Sequence, residues 1–197
     1  MRWQNRVKHL QSYWRKQSAT KRRGIFYLVL GVSLWFLFLG WRVQRSGILA
    51  FDKTAVSTVV QSTGSRPIRI RLPKFRVDLA VTEAVVTDGT WEISETGASH
   101  WNSSANPVES GNVVIYGHNK NSLFGPIRWL EIGDEVEVTT AEGDTIIYRV
   151  EETAVVSPKD INYVLPTNSE RLTLYTCTGF LDRQRYIVIA LPDSGDF

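Results

Sequence analysis

The sequence of 197 residues predicts an all-β domain, a barrel or a sandwich, behind one N-terminal membrane-spanning helix. Two observations predict this fold class. From Pro67 onward, short strand-like runs are separated by turn residues, and residues 24–41 form one apolar run without a charge. A chain of this length with 43% hydrophobic residues buries one good core, so we expect one domain and an appendage.

The apolar run from Gly24 to Trp41 lies between Arg23 and Arg42. At about 1.5 Å per residue it spans roughly 27 Å, enough to cross the hydrocarbon core of a bilayer. A cleaved signal peptide has an apolar region of only about 7–15 residues and a small-residue cleavage site. The sequence RVQRSGILAFD that follows offers no good cleavage site, so we expect a retained transmembrane anchor.

Cationic residues concentrate around the apolar run. Residues 1–45 contain ten of the 23 lysines and arginines and none of the 20 acidic residues, an asymmetry that disfavours nucleic-acid binding by the domain. The positive-inside rule places residues 1–23 in the cytoplasm as a basic head. Residues 42–65 are rich in Ser and Thr and are predicted to be a tether to an extracytoplasmic domain, residues 66–197.

Seven runs are predicted to be strands. The first, IRIRL, alternates Ile68, Ile70 and Leu72 with Arg69 and Arg71, which predicts one buried and one solvated face. SLFGPIRWLE predicts a helical turn, and SPKDINYVLP predicts a loop with one short helix. The other runs are VDLAVTEAVV, NVVIYGH, EVEVTT, TIIYRVEETAVV, LTLYTC and RYIVIAL.

The only cysteine of the chain, Cys177, ends the run LTLYTC. A single cysteine cannot form an intramolecular disulfide, which leaves inert burial, intermolecular pairing or reactivity. By period two, Leu172 and Leu174 share one face of the strand, and Tyr175 and Cys177 share the other. If the leucines fill the core, the thiol points out of it, and we expect it to be exposed. An outward thiol in an oxidising compartment is a liability unless it is used.

A thiol nucleophile needs a proton acceptor and hydrogen-bond donors for an oxyanion. His118 ends NVVIYGH at a strand mouth, although taken alone it also fits a solvent-facing loop histidine. Arg183 and Arg185 follow Cys177 after a short loop, so an antiparallel hairpin would return one of them beside the thiol. Arg185 enters the apolar run directly, yet either arginine also fits a solvated strand edge. No motif places His100 beside the thiol.

Several of these runs resemble a known family. TLYTC matches the TLxTC signature of the sortases, the cysteine transpeptidases of bacterial cell surfaces, and VVIYGHN and RYIVIA supply a histidine and an arginine in the family's order. IRLPKFRVDLAV, SANPVESGNVVIYGHN and GDEVEV extend the resemblance to about residues 67–192. The resemblance implies a closed eight-stranded β-barrel with short helices and an active site at the strand ends.

The resemblance also implies roles for individual residues. Cys177 would be the nucleophile and His118 the general acid and base. Arg185 would orient the substrate and stabilise the oxyanion, an assignment that the nearby Arg183 leaves open. The substrate groove that the resemblance implies lies against Ala105, Tyr116 and Tyr175.

The implied activity is cleavage of an LPxTG-like C-terminal sorting signal between Thr and Gly, with transfer of the acyl group to an amine of a cell-wall precursor or a pilin. The expected partners are the sorting-signal peptide, that amine and the lipid bilayer. Two alternatives stay open: a non-catalytic, membrane-anchored peptide-binding module, and a cysteine peptidase that hydrolyses the thioacyl intermediate. No cofactor is expected. Glu109, Glu151 and Glu170 are candidate Ca²⁺ ligands without EF-hand spacing, and solvated carboxylates are the safer interpretation.

Overall fold

The structure is a computed structural model of the chain. The chain divides into two compact units, Met1–Ser46 and Gly47–Phe197. The residues that the structure describes are 19–45, 64–87 and 90–193.

The described part of the first unit forms a helix, α1, which spans Ala19–Arg45. Within it, Arg23–Gly40 is long and apolar enough to cross a membrane, and most of its large apolar side chains are exposed. The predicted anchor lies inside α1, and the first four residues of the predicted tether are helical as well. The rest of that tether up to residue 63, and residues 1–18 of the predicted head, lie outside the described residues.

Within residues 64–87 and 90–193 of the second unit, the structure contains ten strands, together with 3-10 turns that include Gly125–Trp129 and Ile161–Tyr163. The strands are β1 Pro67–Leu72, β2 Val77–Ala84, β3 Val86–Thr87, β4 Thr90–Trp91, β5 Ala98–Trp101, β6 Asn112–Gly117, β7 Glu135–Thr140, β8 Thr145–Val156, β9 Arg171–Thr178 and β10 Gln184–Pro192. Eight strands close into a barrel in the order β1-β2-β5-β6-β9-β10-β8-β7, and β3 pairs with β4, so the predicted closed eight-stranded barrel is confirmed.

Strand β1 shows how the alternating pattern builds the barrel wall. Ile70 and Leu72 are fully buried, whereas Arg69 and Arg71 face solvent. The prediction that Ile68 is buried is wrong, since its side chain is 40% exposed. The pairing of β1 with β7 shifts register between Pro67 and Arg69, and this irregularity turns Ile68 outward.

Strands β6, β9 and β10 bury side chains on both faces. One face of each contributes to an inner cluster inside the barrel, and the other to an outer cluster on its outside. The inner cluster includes Ile70, Leu72, Val113, Ile115, Tyr148, Leu172, Leu174 and Val188. The outer cluster comprises Ala84, Trp91, Trp101, Val114, Tyr116, Val164, Tyr175, Cys177, Ile187 and Ile189.

Candidate active site

Three neighbouring strands carry the predicted catalytic side chains. β6 runs parallel to β9 with Gly117 opposite Thr176, and β9 runs antiparallel to β10 with Cys177 opposite Arg185. His118 follows Gly117 directly. His118, Cys177 and Arg185 therefore lie at one end of three adjacent strands, which are spaced about 4.8 Å apart.

The side chains at this end of the sheet alternate between the two faces as the sequence predicts. Tyr116 and Tyr175 are register partners, and their rings stack with centroids 5.0 Å apart and 13° between their planes. Both belong to the outer cluster, as does Cys177, whereas Leu172 and Leu174 belong to the inner one. The thiol thus points out of the barrel.

The prediction that this direction exposes the thiol is wrong, because Cys177 is only 5% exposed. Residues 85–97, called the connector below, link β2 to β5, and Trp91 within them belongs to the outer cluster. Trp91 of the connector is 4% exposed, and its ring centroid lies 5.2 Å from that of Tyr116 and 5.8 Å from that of Tyr175. The apolar rings that would otherwise face water are buried beneath the connector.

Arg185 is 2% exposed and lies in register opposite Cys177. Its Nη1 donates hydrogen bonds to the carbonyl oxygens of Asp182 and Gln184, both at 3.1 Å. Arg183 precedes β10 and is exposed. The structure therefore places Arg185, and not Arg183, directly beside the strand position of the thiol.

The turn after the cysteine strand requires a glycine. Gly179 has φ of +78°, a left-handed conformation that side chains rarely adopt. A Cβ at this position would lie 2.4 Å from Oε1 of Gln184. The glycine thus lets the chain reverse tightly between β9 and β10, which brings Arg185 back beside Cys177.

The stacked tyrosines next to the thiol, Tyr116 and Tyr175, are uncharged. Burial raises the pKa of Tyr175 well above its usual value, with a further rise from Tyr116, and the Arg185 guanidinium acts in the opposite direction. Burial also raises the pKa of Tyr116, and the charge of Glu92 adds to the rise. The Tyr116 hydroxyl donates a 2.6 Å hydrogen bond to the Glu92 carbonyl oxygen of the connector. The phenols stay protonated at neutral pH.

His118 begins the loop after β6, and its side chain is 29% exposed. Its carbonyl oxygen accepts hydrogen bonds from the amides of Lys120 at 2.8 Å and Phe124 at 3.2 Å, which fix the backbone at this strand mouth. Nε2 of the imidazole lies 3.4 Å from Oε1 of Glu95. Oε2 of the same carboxylate lies 3.7 Å from Nζ of Lys120.

His100 occupies a different, buried environment. Its Nδ1 lies 2.8 Å from Oε1 of Glu83, and its Nε2 lies 3.1 Å from both the Ala105 carbonyl oxygen and the Ser104 hydroxyl. These contacts tie β2 and β5 to the segment before β6, which is a structural role. Ala105 belongs to the inner cluster, so the structure does not bring it onto the outer face that carries the two predicted groove tyrosines.

The three candidate Ca²⁺ ligands do not belong to a metal-binding group in the structure. The Glu109 carboxylate accepts the Asn106 amide at 3.1 Å, the Glu170 carboxylate accepts the Tyr148 hydroxyl at 2.6 Å, and Glu151 is exposed on β8. Among residues 19–45, 64–87 and 90–193, no group of three or more His, Cys, Asp or Glu side chains is placed to hold a metal ion. The first two carboxylates anchor loops.

The sequence prediction missed the connector residues Trp91 and Glu95. A signal for them was available, because Asp88-Gly89 between the runs VVT and TW is a strong two-residue hairpin signal. The structure pairs Thr87 with Thr90 across that position. A two-stranded hairpin bearing a tryptophan has no core of its own, so the ring has to pack on another surface.

Comparisons with known proteins identify the family. The Sortase domain model matches residues 70–193. The chain is 29% identical to Sortase D of Bacillus subtilis over 60% of this chain and 57% of that protein, and so spans less than two thirds of its length. A Sortase D5 transpeptidase of Clostridium perfringens is 28% identical, with a TM-score of 0.55 over 66% of this chain and 79% of that one. A lid mutant of Sortase A from Corynebacterium diphtheriae is 26% identical, with a TM-score of 0.54 over 68% and 74%. The chain belongs to the sortase family.

Proposed function

We propose that the chain is a membrane-anchored cysteine transpeptidase that cleaves an LPxTG-like C-terminal sorting signal between Thr and Gly and transfers the acyl group to an amine. The observation that carries this proposal is the strand register. It sets Cys177 opposite Arg185, with His118 at the mouth of the other strand that flanks β9. Membership of the sortase family supports the reaction class.

In the first step, Sγ of Cys177 attacks the Thr carbonyl carbon of the sorting signal. The Arg185 guanidinium donates hydrogen bonds to the oxyanion that forms. The Thr–Gly carbon–nitrogen bond then breaks, and His118 gives its proton to the leaving Gly amine. The product is a thioacyl enzyme in which the Thr carbonyl is bonded to Sγ.

In the second step, an incoming amine attacks the thioester carbonyl. His118 takes the proton that the amine loses, a new amide bond forms, and the carbon–sulfur bond breaks to return the Cys177 thiolate. We propose that the amine belongs to a cell-wall precursor or to a pilin subunit. A membrane anchor favours this step when a lipid-linked amine and the substrate's own tail share the same two-dimensional layer.

Trp91 of the connector has to move away before a peptide can lie on the outer face. Trp91 packs on the two stacked tyrosines, and the thiol two residues beyond Tyr175 is nearly fully buried. A sorting signal that reaches Cys177 along this face therefore displaces the Trp91 ring and takes over its apolar contacts.

The topology proposal is an N-terminus in the cytoplasm and a catalytic unit outside the membrane. It rests on the apolar stretch of α1 and on the ten cationic residues in residues 1–45. We expect protease added to intact, wall-stripped cells to degrade the β-barrel and to spare an N-terminal epitope tag. Protection of the barrel would contradict this orientation.

Mass spectrometry of the full chain in detergent micelles tests the proposed reaction. With an LPxTG-type peptide and an added amine, we expect a thioacyl adduct on Cys177 and a peptide–amine product. Cys177→Ala should form neither. Cleavage without amine incorporation would indicate a peptidase, and binding without cleavage would indicate a recognition module.

A further inference from the structure

We infer that Glu95 is a positioning residue for His118, an inference that rests on the proposed role of His118 in acyl transfer. The carboxylate of Glu95 lies 3.4 Å from Nε2 of the imidazole. Glu95 reaches this place from the connector, a segment separate from the three strands that carry the other site residues.

The imidazole of His118 has a ring nitrogen that is free to accept a carboxylate as its partner. Nε2 of His118 is a buried atom without a hydrogen-bond partner in the described part of the chain, and the Glu95 carboxylate is within ion-pair distance of it. Hydrogen bonds between catalytic groups are often long in unliganded enzymes and tighten in the substrate complex. A 3.4 Å separation therefore needs only a small shift to become a hydrogen bond.

Local hydrogen bonds fix the backbone on both sides of Glu95. The Ser94 amide donates to the Ser99 hydroxyl at 2.8 Å, and the Gly97 amide donates to the Ser94 hydroxyl at 3.0 Å. Gly97 also lies so close to β2 that a Cβ would sit 2.4 Å from the Ala80 carbonyl oxygen. This half of the connector is held independently of Trp91, so Glu95 can stay beside His118 while the tryptophan yields to a peptide.

A carboxylate beside His118 stabilises the protonated imidazole that the proposed reaction requires. His118 carries the proton that the leaving amine receives, so the reaction passes through an imidazolium. An anion beside one ring nitrogen attracts that cation and orients the ring toward the reacting atoms, as the third member of a nucleophile–base–acid triad does. Lys120 lies 3.7 Å from the other oxygen of Glu95 and competes for the same carboxylate.

The effect is expected to be modest because the Glu95 side chain is 77% exposed. Exposed ion pairs contribute up to about 1 kcal/mol, which corresponds to about a fivefold change in rate. Salt screens such a pair, since the Debye length falls to about 3 Å at 1 M ionic strength. A positioning role for Glu95 therefore predicts a small loss of turnover that depends on salt.

Steady-state acyl transfer by the full chain in detergent, with an LPxTG-type peptide and an added amine, tests the inference. We expect Glu95→Gln to lower kcat about two- to fivefold with less than about a twofold change in KM, and the loss to shrink below about 1.5-fold at 1 M NaCl. Glu92→Gln is the matched control. Glu92 lies on the same connector, where its carboxylate accepts the Val85 amide, and its replacement should change kcat by less than about 1.5-fold at either salt concentration.

A second variant separates positioning of the histidine from simple pinning of the connector. Lys120→Gln removes the Glu95–Lys120 ion pair but leaves the carboxylate free for His118, so kcat should equal or exceed that of the wild type. If Lys120→Gln lowers kcat as much as Glu95→Gln does, the ion pair rather than the histidine contact is responsible and the inference is overturned. A Glu95→Gln loss that persists at high salt would overturn it too.

The wild type and His118→Ala distinguish failure of this inference from failure of the proposed function. Transfer by the wild type that His118→Ala abolishes supports the function. If Glu95→Gln then behaves like Glu92→Gln, the inference about Glu95 alone is wrong. If the wild type transfers no acyl group, or His118→Ala retains transfer, the proposed function fails and the role of Glu95 fails with it.

Discussion

The two faces of β6, β9 and β10 present different environments built on the same backbone. The inner cluster is largely aliphatic and is enclosed by all eight strands of a closed barrel. The outer cluster is rich in aromatic rings and contains the thiol, and its cover includes the short β3–β4 hairpin. Leu174 is therefore enclosed by the strands of the barrel, whereas its neighbour Tyr175 lies under a cover that includes a short hairpin.

This difference shows how a barrel can combine stability with access. Opening the inner cluster requires breaking the hydrogen-bonded strands of the barrel. Detachment of the connector would uncover part of the outer cluster without breaking the barrel, and a two-stranded hairpin is marginally stable by itself. Local opening of such an element costs less free energy than global unfolding. We therefore expect the buried thiol to become accessible through local opening of the connector.

The largest expected effect is at Arg185 of the outer face. A lysine cannot reproduce the planar fork of donors that a guanidinium offers to an oxyanion. Loss of an oxyanion donor costs about 100- to 1000-fold in turnover, so we expect Arg185→Lys to lose acyl transfer by that order in steady-state assays.

Arg183→Lys is the control for this prediction, because Arg183 is exposed and precedes β10. We expect it to lose less than about tenfold in turnover. Reversed severities would move the oxyanion role to Arg183. Two mild phenotypes would show that neither arginine acts as proposed.

Matched truncations on the two faces test the comparison directly. Leu174 is fully buried in the inner cluster, so Leu174→Ala should lower the free energy of unfolding by about 2–5 kcal/mol in denaturant titrations. Trp91→Ala should instead raise the rate of Cys177 alkylation by iodoacetamide about tenfold, the equivalent of about 1.4 kcal/mol less free energy for opening the connector.

In native conditions Leu174→Ala should leave the alkylation rate within about twofold of the wild type, because local opening of the connector does not involve the inner cluster. The barrel of Trp91→Ala should stay folded by far-UV circular dichroism. If both variants accelerate alkylation equally, the two faces open as one unit and the distinction between them is wrong.

Alternation let the sequence predict most strands and the faces of Cys177, Leu172 and Leu174. It did not predict β5, whose four residues Ala98–Trp101 are all buried and therefore lack a period of two. It also gave the direction of the thiol but not its burial. The thiol is buried within the outer cluster, which Trp91 of the connector joins, and the connector has strands of only two residues, whose packing on a distant surface leaves no periodic pattern.

The sequence could predict those parts of the candidate site that depend on where strands end and on the order of the residues along the chain. His118, Cys177 and Arg185 each adjoin an apolar run, so their elements could be predicted from local pattern. The placement of Arg185, rather than Arg183, opposite Cys177 follows from the pairing register, which the chain sets only when β9 and β10 meet. Glu95 lies in a polar stretch, and its approach to His118 follows from tertiary contacts that no local pattern encodes.

Two buried tyrosine hydroxyls, one on each face, permit a finer test. Tyr116 donates to the Glu92 carbonyl oxygen of the connector, and Tyr148 of the inner cluster donates to Glu170, both at 2.6 Å. A hydrogen bond contributes about 1 kcal/mol, so we expect Tyr116→Phe to raise the rate of Cys177 alkylation about fivefold. Tyr148→Phe should leave that rate unchanged. Equal acceleration by both variants would mean that the Tyr116 bond does not hold the connector specifically.

The smallest expected effect is the pH dependence of the Tyr148 contribution to stability. Burial raises the pKa of Tyr148, and its hydrogen bond to Glu170 and the charge of that residue add to the rise. A tyrosine whose pKa is raised by folding contributes stability that is present below its unfolded pKa of about 10 and lost as the pH rises toward the folded value.

The wild type should therefore exceed Tyr148→Phe by about 1 kcal/mol in the free energy of unfolding at neutral pH. Near pH 11 that difference should fall to about zero, since ionisation in the unfolded chain costs the wild type about 1.4 kcal/mol. Phenylalanine does not ionise, and the remaining tyrosines titrate alike in both proteins. Urea titrations at the two pH values measure the difference, and a gap that stays constant or widens with pH would show that Tyr148 is not held protonated in the folded barrel.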